Sequence, residues 1–229
     1  MKALLLLSGG MDSSTLLYYL KTQLNYHSIL ALTLDYGQRH VKEVEAAKAI
    51  AEMAGCEWRY ISAPLTWVDA PLMATSAAAI PEQAELKQAA TVVPARNAYL
   101  LSIAAGVAIQ GGYHDIHFAS VMEDFVSYPD CRSDFTNHLS IAFQVAYGVS
   151  VNAIFSGWSK QMVVLSGLQM QVPYYLSWSC YLGGDKPCLR CDACVERQIA
   201  FAHCGRDYYG RLIETEHVLI DTRHPNAIH

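Results

Sequence analysis

The heptapeptide Ser8-Gly9-Gly10-Met11-Asp12-Ser13-Ser14 follows the apolar run at 3–7 and precedes Thr15-Leu16-Leu17-Tyr18-Tyr19-Leu20. That order of apolar run, glycine pair and renewed apolar pattern predicts a strand, a tight turn and a helix. Glycines admit positive φ and let backbone approach a ligand closely, while Ser13 and Ser14 set hydroxyls beside the unpaired amides of a helix start. An anion suits such a site. The blander reading is a plain strand-to-helix turn with Asp-Ser capping. A Walker A loop needs a Gly-Lys-Ser/Thr ending, and no lysine lies between Lys2 and Lys21. A phosphate loop of the kinase or GTPase type is therefore excluded.

With 229 residues, 52% hydrophobic and 16% charged, the chain has material for one α/β domain and an appendage. A net charge of −5 argues against a general grip on a nucleic-acid backbone, which needs clustered Lys and Arg. A small-molecule substrate is expected instead. No apolar stretch approaches the roughly 18 residues of a membrane span, and the run before Ser8 is too short for a signal peptide. The expected location is cytoplasmic.

Apolar runs alternate with helical patterns along the chain. Strands are expected at 3–7, 28–35, 57–63, 116–119 and 149–155, and helices after Gly10, at 40–54, 95–110, 133–147 and 159–168. This alternation predicts a doubly wound, parallel five-stranded sheet of the α/β class. Residues 1–172 would form it and 173–229 a small C-terminal segment packed on it. Ligands of such sheets sit at the carboxyl ends of strands, where Ser8, Asp35, Ser120 and Asp124 would gather. Residues 64–91, bearing Ala and Pro with weak periodicity, read either as a lid-like loop or as two surface helices.

Cys180, Cys188, Cys191 and Cys194 fall within 15 of the chain's residues. In a reducing compartment that spacing indicates a metal site, and four thiolates fill a tetrahedral shell without leaving an open position. A structural Zn²⁺ is the expected occupant, and an iron-sulfur cluster is the competitor.

The loop resembles the Ser-Gly-Gly-x-Asp-Ser pyrophosphate loop of enzymes that adenylate carboxylates, amides or tRNA bases. More specifically, Leu34-Asp35-Tyr36-Gly37-Gln38-Arg39-His40, Val93-Pro94-Ala95-Arg96-Asn97, Glu123-Asp124-Phe125, Tyr128-Pro129-Asp130-Cys131-Arg132 and the four cysteines together resemble the 7-cyano-7-deazaguanine synthase family of the queuosine precursor pathway. The resemblance spans nearly the whole chain. It implies an adenine nucleotide alpha hydrolase-like fold and an ATP-dependent C–N ligase. The implied substrate is 7-carboxy-7-deazaguanine, whose carboxylate attacks the α-phosphorus of ATP and releases pyrophosphate. Ammonia then displaces AMP to give the amide, and a second ATP converts the amide to the nitrile.

The resemblance also implies roles for residues. Ser8, Gly9, Gly10, Met11, Asp12, Ser13, Ser14, Asp35 and Tyr36 would bind ATP, with Asp12 capping the helix or holding Mg²⁺. Arg96 and Arg132 would contact phosphate or the substrate carboxylate, because a guanidinium presents forked donors to paired oxygens. Asn97, Asp124, Tyr128 and Asp130 complete the expected substrate side, with Asp124 and Asp130 holding either the metal or the deazaguanine amino group. Lys160, in Trp158-Ser159-Lys160, resembles the lysine that opens a late helix of the family and would touch pyrophosphate. The catalytic set is then Asp12, Arg96, Asp124, Arg132 and Lys160. A homodimer is expected.

Several positions depart from the family pattern. Ala95 stands where glycine is usual, Val126-Ser127 replace Ser-Gly, Ala119-Ser120-Val121 lacks a glycine, Ala153-Ile154-Phe155 replaces Thr-Pro-Leu, and the tail from 210 to 229 runs past the usual end. These substitutions leave open a paralogue that passes the activated carboxylate to another amine, such as one on a partner protein, or stops at the amide. A different pyrophosphate-loop synthetase and a non-catalytic nucleotide-binding zinc module are the remaining alternatives.

Overall fold

A computed structural model describes residues 1–39, 42–80 and 91–213. Five parallel strands, β1 (Lys2–Leu6), β2 (Ser28–Asp35), β3 (Glu57–Ser62), β4 (Asp115–His117) and β5 (Ser150–Asn152), lie in the order β3-β2-β1-β4-β5. The helices are α1 (Met11–Thr22), α2 (Lys42–Met53), α3 (Arg96–Gly111), α4 (Asp124–Ser127), α5 (Ser133–Tyr147), α6 (Lys160–Gln169) and α7 (Asp192–Ala202). Chain direction reverses across the sheet at β1, whose neighbours β2 and β4 are reached by opposite windings. The crevice between β1 and β4 is where an open α/β sheet binds its ligand.

Side chains of a strand alternate between faces, and here both faces are apolar because both are covered. Leu5, Leu7, Ile29 and Ala31 pack with Leu16, Leu17 and Leu20 of α1 and Ala47, Ile50 and Ala51 of α2. Leu4, Leu30, Leu32, Leu34 and Ile116 pack on the other face with Leu101, Ala104 and Ala108 of α3. Leu139 and Phe143 of α5 close that second layer. Two buried layers around one parallel sheet make the expected doubly wound architecture.

The fifth strand is shorter than the apolar run 149–155 predicts. The chain turns after Asn152, with Ser156 donating its amide to the Ala153 carbonyl at 3.1 Å. Phe155 then leaves the sheet and is fully buried against Tyr19 and Trp158, at ring separations of 5.4 and 4.8 Å. The Ala153-Ile154-Phe155 substitution therefore alters core packing and lines neither cavity of the crevice.

Residues 64–80 contain no helix. They hold a small core of their own in which Leu65, Ala70, Leu72 and Met73 meet Val93. An antiparallel bridge of Gln38 with Met73 fastens them beside the end of β2, and Arg39 donates to the Ser76 and Ala78 carbonyls. Residues 81–90 of the expected loop, His40 of the family motif and tail residues 214–229 lie outside the described residues. No helix of the described residues is long and apolar enough to cross a membrane.

Helix α7 is held to the main body by a shared core, and one buried cation ties it to the turns of its own segment. Met11 of α1, Val164 of α6, Val172 and Tyr174 pack with Ala200 and Phe201 of α7. Arg197, fully buried, donates to the carbonyls of Tyr208 at 2.9 Å and Tyr174 at 2.9 Å, and to Ser179 Oγ at 3.1 Å. Its five N–H groups need acceptors once water is removed, and several chain carbonyls supply them. The core thus docks the C-terminal segment on α1 and α6, while Arg197 fastens α7 to the turns at Tyr174, Ser179 and Tyr208.

One buried histidine makes stability depend on pH. His117 is 3% exposed, and burial pulls its imidazole down to about 4, an effect Asp115 partly opposes. The folded protein thus resists a proton that the unfolded chain accepts near pH 6.5. Its contribution is complete above pH 6.5 and is lost as pH falls toward 4, by about 3 kcal/mol in all. Denaturant melts of wild type and His117→Gln at pH 7 and pH 4.5 should show a smaller acid loss in the variant; equal losses would disprove this origin.

Candidate functional site

The nucleotide loop is shaped by its two glycines. Gly9 takes φ 85°, and a β-carbon there would fall on the Glu43 carbonyl oxygen and within 2.7 Å of the Ala47 amide nitrogen, both backbone atoms of α2. Only glycine fits. Gly10 caps α1 without any side-chain cap, leaving the first-turn amides facing the crevice. Ser13 Oγ lies 2.9 Å from Ser8 Oγ, whereas Ser14 turns back to donate to the Gly10 carbonyl at 2.6 Å. From above, Trp178 donates its amide to the Gly9 carbonyl at 2.9 Å, so the C-terminal segment lies directly on the loop.

Lys160 stands opposite, at the start of α6. Ser159 caps that helix by accepting the Met162 amide, and Glu123 Oε1 accepts the amide of Lys160 itself at 3.0 Å. The ammonium lies 3.1 Å from Glu196, 3.5 Å from Asp12 and 3.6 Å from Asp124. Although burial works against its charge, these carboxylates hold Lys160 well above the usual lysine range. One cation does not balance this group. Burial pushes Asp12 up and Glu196 up to about 7, and among the described residues the buried Asp12 Oδ1 and Glu123 Oε2 have no hydrogen-bond partner. Unpartnered buried carboxylate oxygens beside an anion loop are the donor set of a hard cation.

Arg96 opens α3 between two aromatic faces, 5.9 Å from the Tyr36 ring and 5.8 Å from the Tyr128 ring. Both contacts are of cation–π type and fix the guanidinium across the crevice. The preceding residue, Ala95, takes φ 57° and ψ 20°, the left-handed conformation that makes glycine the usual choice there. Replacing it removes about 1–2 kcal/mol of backbone strain and adds about 0.5–1 kcal/mol of chain entropy cost. Ala95→Gly is therefore expected to raise Tm by roughly 2–4 °C, read by calorimetry; an unchanged or lower Tm would contradict the strain. By contrast Ser127, another residue in a usual glycine position, has no positive φ and places a hydroxymethyl on the cavity wall.

Two adjoining cavities, of about 250 and 220 Å³, occupy the crevice. The first is mostly apolar, walled by Leu32, Leu34, Leu72, Leu100 and Phe118. The second is polar and contains Lys160, Glu123, Asp124, Tyr128, Asp192 and Glu196. Ser8, Gly10 and Asp12 belong to both. The cavities thus meet at the nucleotide loop.

Three residues expected at the site do other work. Asp35 accepts the Gly37 amide and the Tyr60 hydroxyl, at 2.9 and 2.6 Å, and lines neither cavity. Asp130 accepts the Asn97 amide at 2.9 Å and so caps the start of α3. Arg132 is exposed and donates to the Phe125 carbonyl at 2.9 Å. Each is engaged by the backbone of a turn that the sequence motif had concealed. Asn97 lines both cavities, yet its amide group reaches the Asp130 carbonyl and Cys131 Sγ, each at 3.2 Å. Burial pushes the Cys131 thiol up to about 12, which removes it as a nucleophile at neutral pH.

Glu43, Glu123, Tyr181, Asp192 and Glu196 line the polar cavity without having been singled out in advance as site residues. Glu196 had a cue, since it stands two residues after Cys194 on the helix that the cysteine motif opens. The cysteines themselves converge. All four Sγ atoms lie within 4.8 Å of one another, three of the four cysteines being buried. The amides of Cys188 and Cys191 donate to Cys180 Sγ and Cys188 Sγ, each at 3.3 Å, an arrangement that favours thiolates.

Residues 2–205 match the family described as Queuosine biosynthesis protein QueC. A 7-cyano-7-deazaguanine synthase of Archaeoglobus fulgidus is 43% identical over 213 residues, covering 90% of this chain and 87% of that one. Those of Caldicellulosiruptor bescii and Marinobacter nauticus are each 37% identical, covering 90% and 86% of this chain and 94% and 91% of theirs. With a match that runs from β1 through the cysteine site and the whole of α7, the chain belongs to the QueC family.

Proposed function

We propose that the protein converts 7-carboxy-7-deazaguanine to 7-cyano-7-deazaguanine, using ATP and ammonia and releasing AMP and pyrophosphate. The observation that carries this reading is the meeting of an uncapped helix start with two cavities, one apolar and one polar. The apolar cavity suits adenosine and the polar one the deazaguanine carboxylate. The loop amides and Lys160 face the β- and γ-phosphates, which leave as pyrophosphate, and stabilise the charge that develops on them. Tyr36 and Tyr128 hold Arg96 for the substrate carboxylate, so that its oxygen meets the α-phosphorus. Asp12, Asp124 and Glu123 are the oxygen donors for Mg²⁺, which when bound neutralises phosphate charge. Closure of the crevice by the segment at Trp178 keeps water from the acyl-adenylate.

We assign Zn²⁺ to the cysteines. A metal–sulfur distance of about 2.3 Å in a tetrahedron brings the sulfurs close together, as these are, whereas in a four-iron cluster each thiolate radiates from its own iron. We place the enzyme in the cytoplasm, where free thiols persist.

The paralogue reading loses most of its ground. Of the departing positions among the described residues, only Ala119 and Ser127 line the cavities of the crevice. Incubation with ATP, 7-carboxy-7-deazaguanine and ammonium should release pyrophosphate only when the carboxylate is present and should yield the nitrile by mass spectrometry. An amide as sole product would favour the truncated reaction, and absence of pyrophosphate would refute adenylation.

A further inference from the structure

The bond that joins substrate to AMP must lie where the two cavities meet, because each partner occupies one of them. Residues lining both cavities include Ser8, Gly10 and four titratable side chains: Asp12, Glu43, Arg96 and Tyr181. Amide formation at that point has a requirement that adenylation lacks. Ammonia that adds to the acyl carbon carries a surplus proton, and a base within reach must take it before AMP can leave cleanly.

Three of the four are unsuited. Arg96 is a cation clasped between two tyrosine rings. The Tyr181 phenol is driven well above its ordinary range by burial, with Tyr128 and Glu196 adding to the effect. Asp12 is paired with Lys160 at 3.5 Å and stands in the carboxylate group that suits a metal. Glu43 remains. It lies in the first turn of α2, whose backbone presses against Gly9, and so is carried on a rigid element at the loop itself.

Resting on the function proposed above, we propose that Glu43 is the general base of ammonia capture. The ammonia lone pair forms the C–N bond, the surplus N–H proton passes to a Glu43 carboxylate oxygen, and the C–O bond to AMP breaks with its electron pair leaving on AMP. The products are the carboxamide and AMP, and the proton is returned to solvent. In the second cycle the O-adenylated amide first loses one N–H proton to solvent, and the same carboxylate takes the second as the C–O bond breaks with its electron pair leaving on AMP, so that the nitrile remains.

The surroundings of Glu43 fit that task. The charged and titratable groups facing it are Arg96 of α3, Tyr36 of the turn after β2 and Cys180 of the metal loop. Burial brings the carboxyl up to about 7, with Arg96 holding it from going higher. A base so poised accepts a proton readily at neutral pH.

The test separates the two half-reactions in the full-length, metal-loaded protein. Pyrophosphate exchange with ATP and the carboxylate, without ammonium, reads adenylation. Rapid mixing of the preformed adenylate with ammonium reads amide formation. Glu43→Gln should keep exchange within about threefold and slow amide formation about 100-fold or more, with loss of the acid limb of its pH profile. Glu43→Asp, which retains the carboxylate, should recover part of the rate. Equal loss in both half-reactions, or amide formation at the wild-type rate in Glu43→Gln, would overturn the assignment. Absence of exchange in the wild type would instead refute the adenylation on which it rests.

Discussion

Gly9→Ala should lower stability by about 3 kcal/mol, combining left-handed strain with overpacking, and weaken ATP binding at least 100-fold. At φ 85° an alanine is strained whatever the space around it, and here its methyl group also meets the backbone of α2 at Glu43 and Ala47. Neither contact is with the end of a flexible side chain. Helix α2 must move or the loop must flatten, and a flattened loop no longer aims the first-turn amides of α1 at a phosphate. The expected fall in Tm is roughly 6–12 °C, and titration calorimetry with ATP reads the binding loss. Gly106→Ala, in the middle of α3 with open space around it, is the control and should leave Tm unchanged or raise it. Normal ATP affinity in Gly9→Ala would show that the loop does not cradle phosphate.

Removing the metal should have a comparably large effect, transmitted from the cysteines to the crevice. Cys191 both supplies a thiol and caps α7, the helix that carries Arg197 and Glu196. Without the ion, four thiols within 4.8 Å have no common partner, and the segment laid over Gly9 at Trp178 loses its anchor. Isolated zinc modules draw about 10–16 kcal/mol from the metal. Here Ala200 and Phe201, packed against Met11 and Val164, retain part of the docking, so a loss of several kcal/mol and a Tm fall of at least ~10 °C are expected. Pyrophosphate release should fall at least about 100-fold as Glu196 leaves Lys160. Metal analysis should find one zinc per chain, and hydrogen exchange after chelation should rise across 178–202 before it rises in β1. Iron in place of zinc, or an unchanged melting curve in Cys191→Ser, would reject this account.

Legibility in the sequence followed the strength of local signals. The range Ser133–Tyr147 is the same in sequence and structure, because an apolar repeat of helical period stops at Gly148, which ends α5 at φ 70°. The run 149–155 carried no such stop, and Phe155 looked like a strand residue although it turns into the core beside Tyr19. Helix α7 was not foreseen, since the cysteines that begin it pointed to a metal loop and its apolar face is short.

The site divides in the same way. A local stretch of residues was enough to single out the loop Ser8 to Ser14 and the four thiols, because each has a spacing that few other tasks require, whereas Lys160 stood out only through the family resemblance. What the motifs did not show is that some of their side chains also hold turns: Asp35 and Asp130 accept backbone amides, and Arg132 donates to a carbonyl. Glu43 and Glu196 lie 153 residues apart, and neither stands out from its neighbours in the chain. Their common position in the polar cavity follows from α2 packing beside β1 while α7 packs on α1 and α6.

By itself, then, the sequence determined the doubly wound parallel sheet, the anion loop and the metal site, since periodicity, glycine placement and ligand spacing act over a few residues at a time. Tertiary structure alone decided which carboxylates surround Lys160, which acid lies where the two cavities meet and which charged residues also hold turns. Those outcomes depend on burial and on distances between groups far apart in the chain, and both exist only once the two core layers have closed around the sheet.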